Sequence, residues 1–190
     1  MEDFRTKQEL EAEYGCNRNS GSPAVYVGTY AKYASGSIYG AWFDLTKFYD
    51  YDEFIDACRE LHHDEADPEL MFQDFENFPD VWYNEGFMDE DTFNKIREYD
   101  DMDGDKKDAF CEFLSEIDED GSIEDFEERY YGRFYNQHDF AVDYIENEVL
   151  PDLPEPIPSI ILGNIDYNDV FYDLQQECFD FSSNYAFKQI

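Results

Sequence analysis

"AVYVGTYAKYASGSIYGAWFDL" occupies residues 24–45. Two apolar and aromatic runs, 24–30 and 37–44, flank an Ala34-Ser35-Gly36 turn region, and β-branched and aromatic residues around such a turn predict a β-hairpin. This is the strongest strand signal in the chain. Immediately downstream, "YDEFIDACRELH" (51–62) repeats Tyr51, Phe54, Ile55, Cys58 and Leu61 at i, i+3, i+4 and i+7, the pattern of an amphipathic helix. Its other face carries Asp52, Glu53, Asp56 and Glu60, and Asp52, Asp56 and Glu60 form a ladder with steps of about 6 Å along the axis. "ELMFQDFENF" (69–78) reads as a short strand. Residues 23–79 are therefore expected to form one α+β unit. Upstream, residues 1–22 are polar, contain "NRNSGS", and predict a flexible extension with a short helix around "KQELEAEY".

Beyond Pro79 the pattern changes. Residues 80–120 predict a helical unit with helices over Asp89–Glu98 and Lys106–Ile117, the latter offering Phe110, Phe113, Leu114 and Ile117 as its apolar face. Residues 121–190 predict a third, α+β unit. Ser122 and Asp125 have the spacing of a capping box. "HDFAVDYIENEV" (138–149) predicts a helix with Phe140, Ala141, Tyr144 and Ile145 inward and Asp139, Asp143 and Glu146 outward. "PDLPEPIP" (151–158) reads as extended loop, and "ILGNIDYNDVFYDLQQE" and "NYAFKQI" read as a helix and a closing strand. The expected fold class is α+β, a chain of three small units.

Charge dominates the composition. The 190 residues hold 48 Asp and Glu against 13 Lys and Arg, a formal charge of -35. From Asp50 to Glu128 there are 31 acidic residues and five basic ones, and from Phe134 to Phe187 there is no Lys or Arg. Such self-repulsion opposes a compact state. An aromatic content of 19% counters it, because each ring can bury a large apolar area, and a folded protein is expected. Spread over a compact surface of this mass, the carboxylates reach about one per 200 Å², roughly half the charge density of duplex DNA. This sign of charge excludes direct nucleic-acid binding and disfavours anionic membranes. No apolar run approaches the length of a membrane span. Cys16, Cys58, Cys111 and Cys178 are far apart with no CxxC pair, which fits a reduced cytoplasm.

Three constellations could carry site chemistry. In "YDDMDGDKKDAFCE" (99–112), Asp101, Asp103, Asp105 and Glu112 stand at positions 1, 3, 5 and 12 of a calcium loop. The glycine needed at position 6 is Lys106, however, and Lys107 follows it. A solvated acidic turn is the better reading. His62 and His63 beside Asp64 and Glu65 offer zinc-type ligands without a zinc motif, and a charged helix end is preferred. His138 has no nucleophile motif near it. No constellation points to an enzyme, a cofactor or a resident metal.

"VYVGTYAKYASGSIYGAWFDL", above all Gly40-Ala41-Trp42-Phe43, with "FQDFE" (72–76), "SIEDFEE" (122–128), "FAVDYIENEV" (140–149) and "NIDYNDVFYDL" (164–174), resembles the ArdA family of antirestriction proteins. These are acidic DNA mimics made by mobile genetic elements against type I restriction-modification enzymes. The resemblance implies an elongated, curved homodimer joined through its C-terminal unit, with no catalysis. It also implies a partner, the basic DNA-binding groove of a type I enzyme. The carboxylates expected to meet that groove form a distributed set: Asp52, Asp56, Glu60, Asp74, Glu76, Asp118, Asp120, Glu124, Asp125, Glu128, Asp139, Asp143 and Glu146. Two other readings use the same charge, an acidic calcium-binding protein and an immunity or chaperone protein for a basic partner.

Overall fold

The structure, a computed structural model, describes residues 4–16, 20–154 and 156–190. It is mixed α+β and divides into two compact units, residues 1–103 and 104–190. The division falls inside the segment 80–120, so the two helices expected there lie in different units.

In the first unit, β1 (Ala24–Thr29) is the centre of an antiparallel sheet of order β2-β1-β3, with β2 at Ala41–Asp44 and β3 at Leu70–Glu76. The predicted pairing is present, in the register Val25 to Phe43 and Val27 to Ala41. Its connection, though, is a folded excursion and no tight turn. Residues 30–34 form a short helix, α2 (Tyr30–Ala34), begun when the Thr29 hydroxyl accepts from the Lys32 amide at 3.2 Å. Gly36, at φ +83°, then reverses the chain. Tyr26 donates its hydroxyl to the Ile38 carbonyl at 2.8 Å, and its ring lies against Gly40. A Cβ at Gly40 would stand 2.4 Å from the Val27 carbonyl oxygen and 2.7 Å from the Tyr26 ring. The Gly-Ala-Trp-Phe stretch needs its glycine for that close approach.

Helix α3 (Tyr51–Leu61) starts on Asp50, whose carboxylate accepts from the Glu53 amide, and buries Phe54, Ala57, Cys58 and Leu61. The Phe54 ring contacts Phe48 at 5.3 Å, Phe72 at 6.1 Å and Phe93 at 5.5 Å between centroids. Phe93 belongs to α4 (Glu90–Asp100), and Tyr51 donates to the Met88 carbonyl at 2.6 Å. These two contacts bind residues 88–100 to the first unit.

Part of the segment expected to be a flexible extension is docked. Helix α1 (Lys7–Tyr14) opens on a Thr6–Glu9 capping box and buries Leu10 and Tyr14, with Tyr14 stacked on Phe48 at 4.2 Å. Arg5 Nη2 reaches Glu60 Oε2 at 2.6 Å while Nη1 reaches Glu13 at 2.6 Å. Two apolar side chains and one ionic clamp leave no periodic signal in the sequence. Residues 1–3 and 17–19 of that segment, including the first half of "NRNSGS", lie outside the described residues.

The second unit is built around β6 (Tyr185–Lys188), the central strand between β4 (Tyr130–Arg133) and β5 (Phe179–Ser182). Phe187 faces Phe113 of α5 (Gly104–Glu116) and Phe126 of α6 (Ile123–Arg129). The neighbouring Ala186 packs with Phe140 of α7 (Gln137–Tyr144), Phe171 of α9 (Tyr167–Glu177) and Phe179. The sheet is thus covered on both faces, by α5 and α6 on one and by α7 and α9 on the other. After Tyr144 the chain widens into a π-turn, Ile145–Val149, followed by a 3-10 turn, Leu150–Asp152, and α8 (Ser159–Leu162). Glu155 of the predicted loop is outside the described residues.

Gly40→Ala is expected to lower stability by about 1–3 kcal/mol, since neither the Val27 backbone nor the Tyr26 ring can move aside freely. Gly104→Ala, where an added Cβ meets nothing within 4 Å, should be neutral or slightly stabilising. Thermal melts of the two variants beside the parent chain check this difference.

Candidate functional site

The carboxylates named from the sequence are distributed among several elements. Asp52 and Asp56 are exposed one turn apart on α3, and Arg59 stands 4.0 Å from Asp56 with both side chains in solvent. Glu60 is not a free charge. It is half-buried and takes Arg5 Nε at 2.9 Å as well as Nη2, and this guanidinium holds its carboxyl below the usual carboxylate range. Through this pair it docks α1. Asp74 is exposed on β3, opposite Tyr26, which in turn is opposite Trp42. Glu76 is half-buried at the end of the same strand.

In the second unit, Asp118 lies 3.8 Å from Arg129 and Asp120 is exposed in the turn before α6. Glu124 and Glu128 are exposed one turn apart on α6. Asp125 is half engaged, because it accepts from the Ser122 amide at 2.9 Å and its hydroxyl, which holds the Asp125 carboxyl below its ordinary value. Asp139 and Glu146 are exposed, whereas Asp143 accepts from Asn147 Nδ2 at 3.0 Å and faces the Tyr131 hydroxyl at 3.4 Å. Burial, then Glu148 and Asp143, pushes the Tyr131 phenol far up, so it stays a donor between two carboxylates.

A ladder that sequence reasoning missed lies on α9. Asp169, Asp173 and Glu177 follow at i, i+4 and i+8, all exposed, while Phe171 and Leu174 are buried. The signal was present in "NDVFYDLQQE": once the segment is read as a helix, its acidic face follows from the same spacing that marks its apolar face. Helix α9 packs on α7, which carries Asp139 and Asp143. Neither helix holds a Lys or Arg, whereas the opposite layer does: Lys106 pairs with Glu127 at 2.7 Å, and Arg129 with Asp118 and Asp180. A few carboxylates beside α5 and α6 are thus paired with cations, whereas α7 and α9 carry theirs with no Lys or Arg of their own.

The two metal readings are decided by local geometry. Residues 104–116 are helical, so positions 4 to 12 of the supposed calcium loop cannot wrap an ion, and Glu112 accepts instead from the Ser182 and Ser183 hydroxyls at 2.6 and 2.7 Å. The atoms of His62, Asp64 and Glu65 that could bind a metal do converge within 4.8 Å. Lys32 fills that space: its Nζ is 3.0 Å from His62 Nδ1, 2.6 Å from Asp64 and 3.1 Å from Glu65. Three acceptors match the three N–H bonds of an ammonium. Burial alone would push Lys32 down, but the hydrogen bonds it donates to Asp64 and Glu65 hold it above its usual value. Buried His62 is pushed down first by burial and then by Lys32, and its Nε2 faces the Val27 carbonyl.

The family model described as antirestriction protein (ArdA) matches residues 25–186. The chain belongs to the ArdA family. Antirestriction, the inhibition of restriction-modification enzymes, is the function that membership carries. No curated protein matches the chain. Among the described residues no helix is long and apolar enough to cross a membrane.

Two opposed pH effects follow. Glu60, Asp89 and Asp125 titrate below their ordinary values through Arg5, Thr92 and Ser122 respectively. Their stabilising contribution is complete above the unfolded carboxylate range of about 3.9–4.3 and is lost as pH falls through the lowered folded values. Repulsion among the remaining carboxylates acts the other way, easing as they protonate. The melting temperature should hold or rise from pH 7 to about 5, then fall below about pH 4, and at pH 7 it should rise with added salt. Calorimetry across pH at two salt concentrations measures both; destabilisation by salt at pH 7 would contradict the repulsion argument.

Proposed function

We propose that this ArdA-family protein inhibits type I restriction-modification enzymes by presenting surface carboxylates to the cationic groove that otherwise holds DNA. The observation that carries this reading is the α7–α9 layer, where Asp139, Asp173 and their neighbours stand exposed on helices without one Lys or Arg among them. A protein selected only for stability would intersperse cations, because like charges one helical turn apart each cost roughly 0.2–0.5 kcal/mol. DNA-binding enzymes gain affinity by contacting phosphates with Lys and Arg. Carboxylates fixed on helices can satisfy the same cations with little further loss of conformational freedom. They offer no base to cleave or methylate.

The contact set is the exposed part of the distributed one: Asp52, Asp56, Asp74, Asp120, Glu124, Glu128, Asp139 and Glu146, joined by Asp169, Asp173 and Glu177. Association as a homodimer through the C-terminal unit is supported by the exposed apolar side chains of Leu153, Ile160, Ile161 and Leu162. Two molecules of charge -35 can meet where carboxylates are sparse. Action in the cytoplasm is supported by the wide spacing of Cys16, Cys58, Cys111 and Cys178, with no CxxC pair.

The test is displacement of a fluorescent duplex from a purified type I methyltransferase complex. The chain should compete at low salt and lose affinity steeply as salt rises. Asp173→Asn alone should change inhibition less than about threefold, and the triple change Asp169→Asn, Asp173→Asn, Glu177→Gln should weaken it further and flatten the salt dependence. Failure to displace DNA at low salt would remove the mimicry reading.

A further inference from the structure

The 29 residues from Gly15 to Phe43 hold no Asp or Glu, although one residue in four across the chain is acidic. Much of this stretch is buried in β1 and β2, but the excursion between them is not. Ile38 is 79% exposed, Tyr33 57% and Tyr39 39%, and Ala34, Ser35 and Gly36 are open to solvent beside them. Tyr, Ser and Gly around a rigid turn make a composition of recognition loops, in which tyrosine supplies contact area at low entropic cost.

The excursion is also held in one shape. Thr29 caps α2 and donates its hydroxyl to Glu65 at 2.7 Å. The Ser37 amide returns to the Lys32 carbonyl at 2.9 Å, Tyr26 holds the Ile38 carbonyl, and Lys32 anchors the helix to Asp64, Glu65 and His62. An ordered loop loses little entropy on binding.

We propose that residues 30–40 form a second, carboxylate-free contact on the same target, with Tyr33 and Ile38 docking on an uncharged protein surface that borders the cationic groove. This rests on the mimicry reading. Charge selects the occupant: a surface meant for the cationic groove itself would carry carboxylates like the rest of the chain, and one stripped of them matches a partner face without cations. The carboxylates then supply attraction at a distance and salt-dependent affinity, and the tip supplies the part of the affinity that salt does not screen.

The experiment measures binding of the full chain to the purified type I methyltransferase complex from low to high salt. Three forms are compared: the parent, the tip variant Tyr33→Ala/Ile38→Ser, and the α9 triple variant described above. The tip variant should lose at least tenfold in affinity by the same factor at every salt concentration, with an unchanged slope, while the α9 variant should lose slope. Ala34→Gln, which adds bulk to the tip without removing an internal contact, should give a loss of the same character, and melting curves matching the parent establish that both variants fold. Parent binding with tip variants that bind equally well overturns the tip contact alone, as does a loss that disappears at high salt. Tip variants that lose only self-association in sedimentation give the surface to a second copy and overturn it too. A parent chain that does not bind at all brings down the mimicry reading and the tip contact with it.

Discussion

The ring of Phe54 touches Phe48, Phe72 and Phe93, and that of Phe126 touches Phe110, Phe113 and Phe187. These contacts hold together helices whose outer faces repel one another. Each phenylalanine fully buried contributes on the order of 1.5–3 kcal/mol, and an edge-to-face pair adds about 0.5–1.5 kcal/mol more. Among the described residues, nine of the twelve largest fully buried side chains are phenylalanine, so the aromatic excess in the composition is the counterpart of the acidic one. Both units obey this constraint separately, each with its own ring cluster behind its own three-stranded sheet. Carboxylates are reused within it: Asp50, Asp89 and Asp166 cap helices and Asp125 closes the Ser122 capping box, positions where an anion is favourable, and so turn part of the charge into structure.

Much of this was legible in the chain. The β1–β2 pairing, β3, α3, the capping box at Ser122, α7 and β6 all follow from spacing that survives without a structure. The misses have physical causes. "YYGR" and "FDFS" are strands of four residues, too short for alternation to stand out from an aromatic-rich background. Helix α1 is held by Arg5 and Glu60, a partnership across 55 positions that no local pattern announces. The hairpin was recognised by its residues while its long connection, α2 included, was hidden by the same Ser-Gly composition that suggested a turn.

The candidate surface was legible in kind and less so in membership. Counting acidic residues finds the charge, but only burial and hydrogen bonding separate Asp52, which faces water, from Glu60, which is spent on Arg5. The bare α7–α9 layer emerges from packing: the sequence shows a long interval without cations, and the fold gathers two helices of that interval side by side. The same sorting shows why His62, Asp64 and Glu65 imitate a metal site in sequence and in space, since an interior ammonium needs the same convergent acceptors as a divalent ion.

Lys32 has a practical consequence of its own. Its side chain is 15% exposed, its three N–H bonds are satisfied, and its neighbours keep it protonated. Amine-directed reagents attack the neutral amine, so in mapping with acylating cross-linkers Lys32 stays silent while the more open lysines react. Labelling at Lys32 therefore reports that α2 has come away from the end of α3, which gives this anionic chain an internal chemical gauge of whether its first unit is intact.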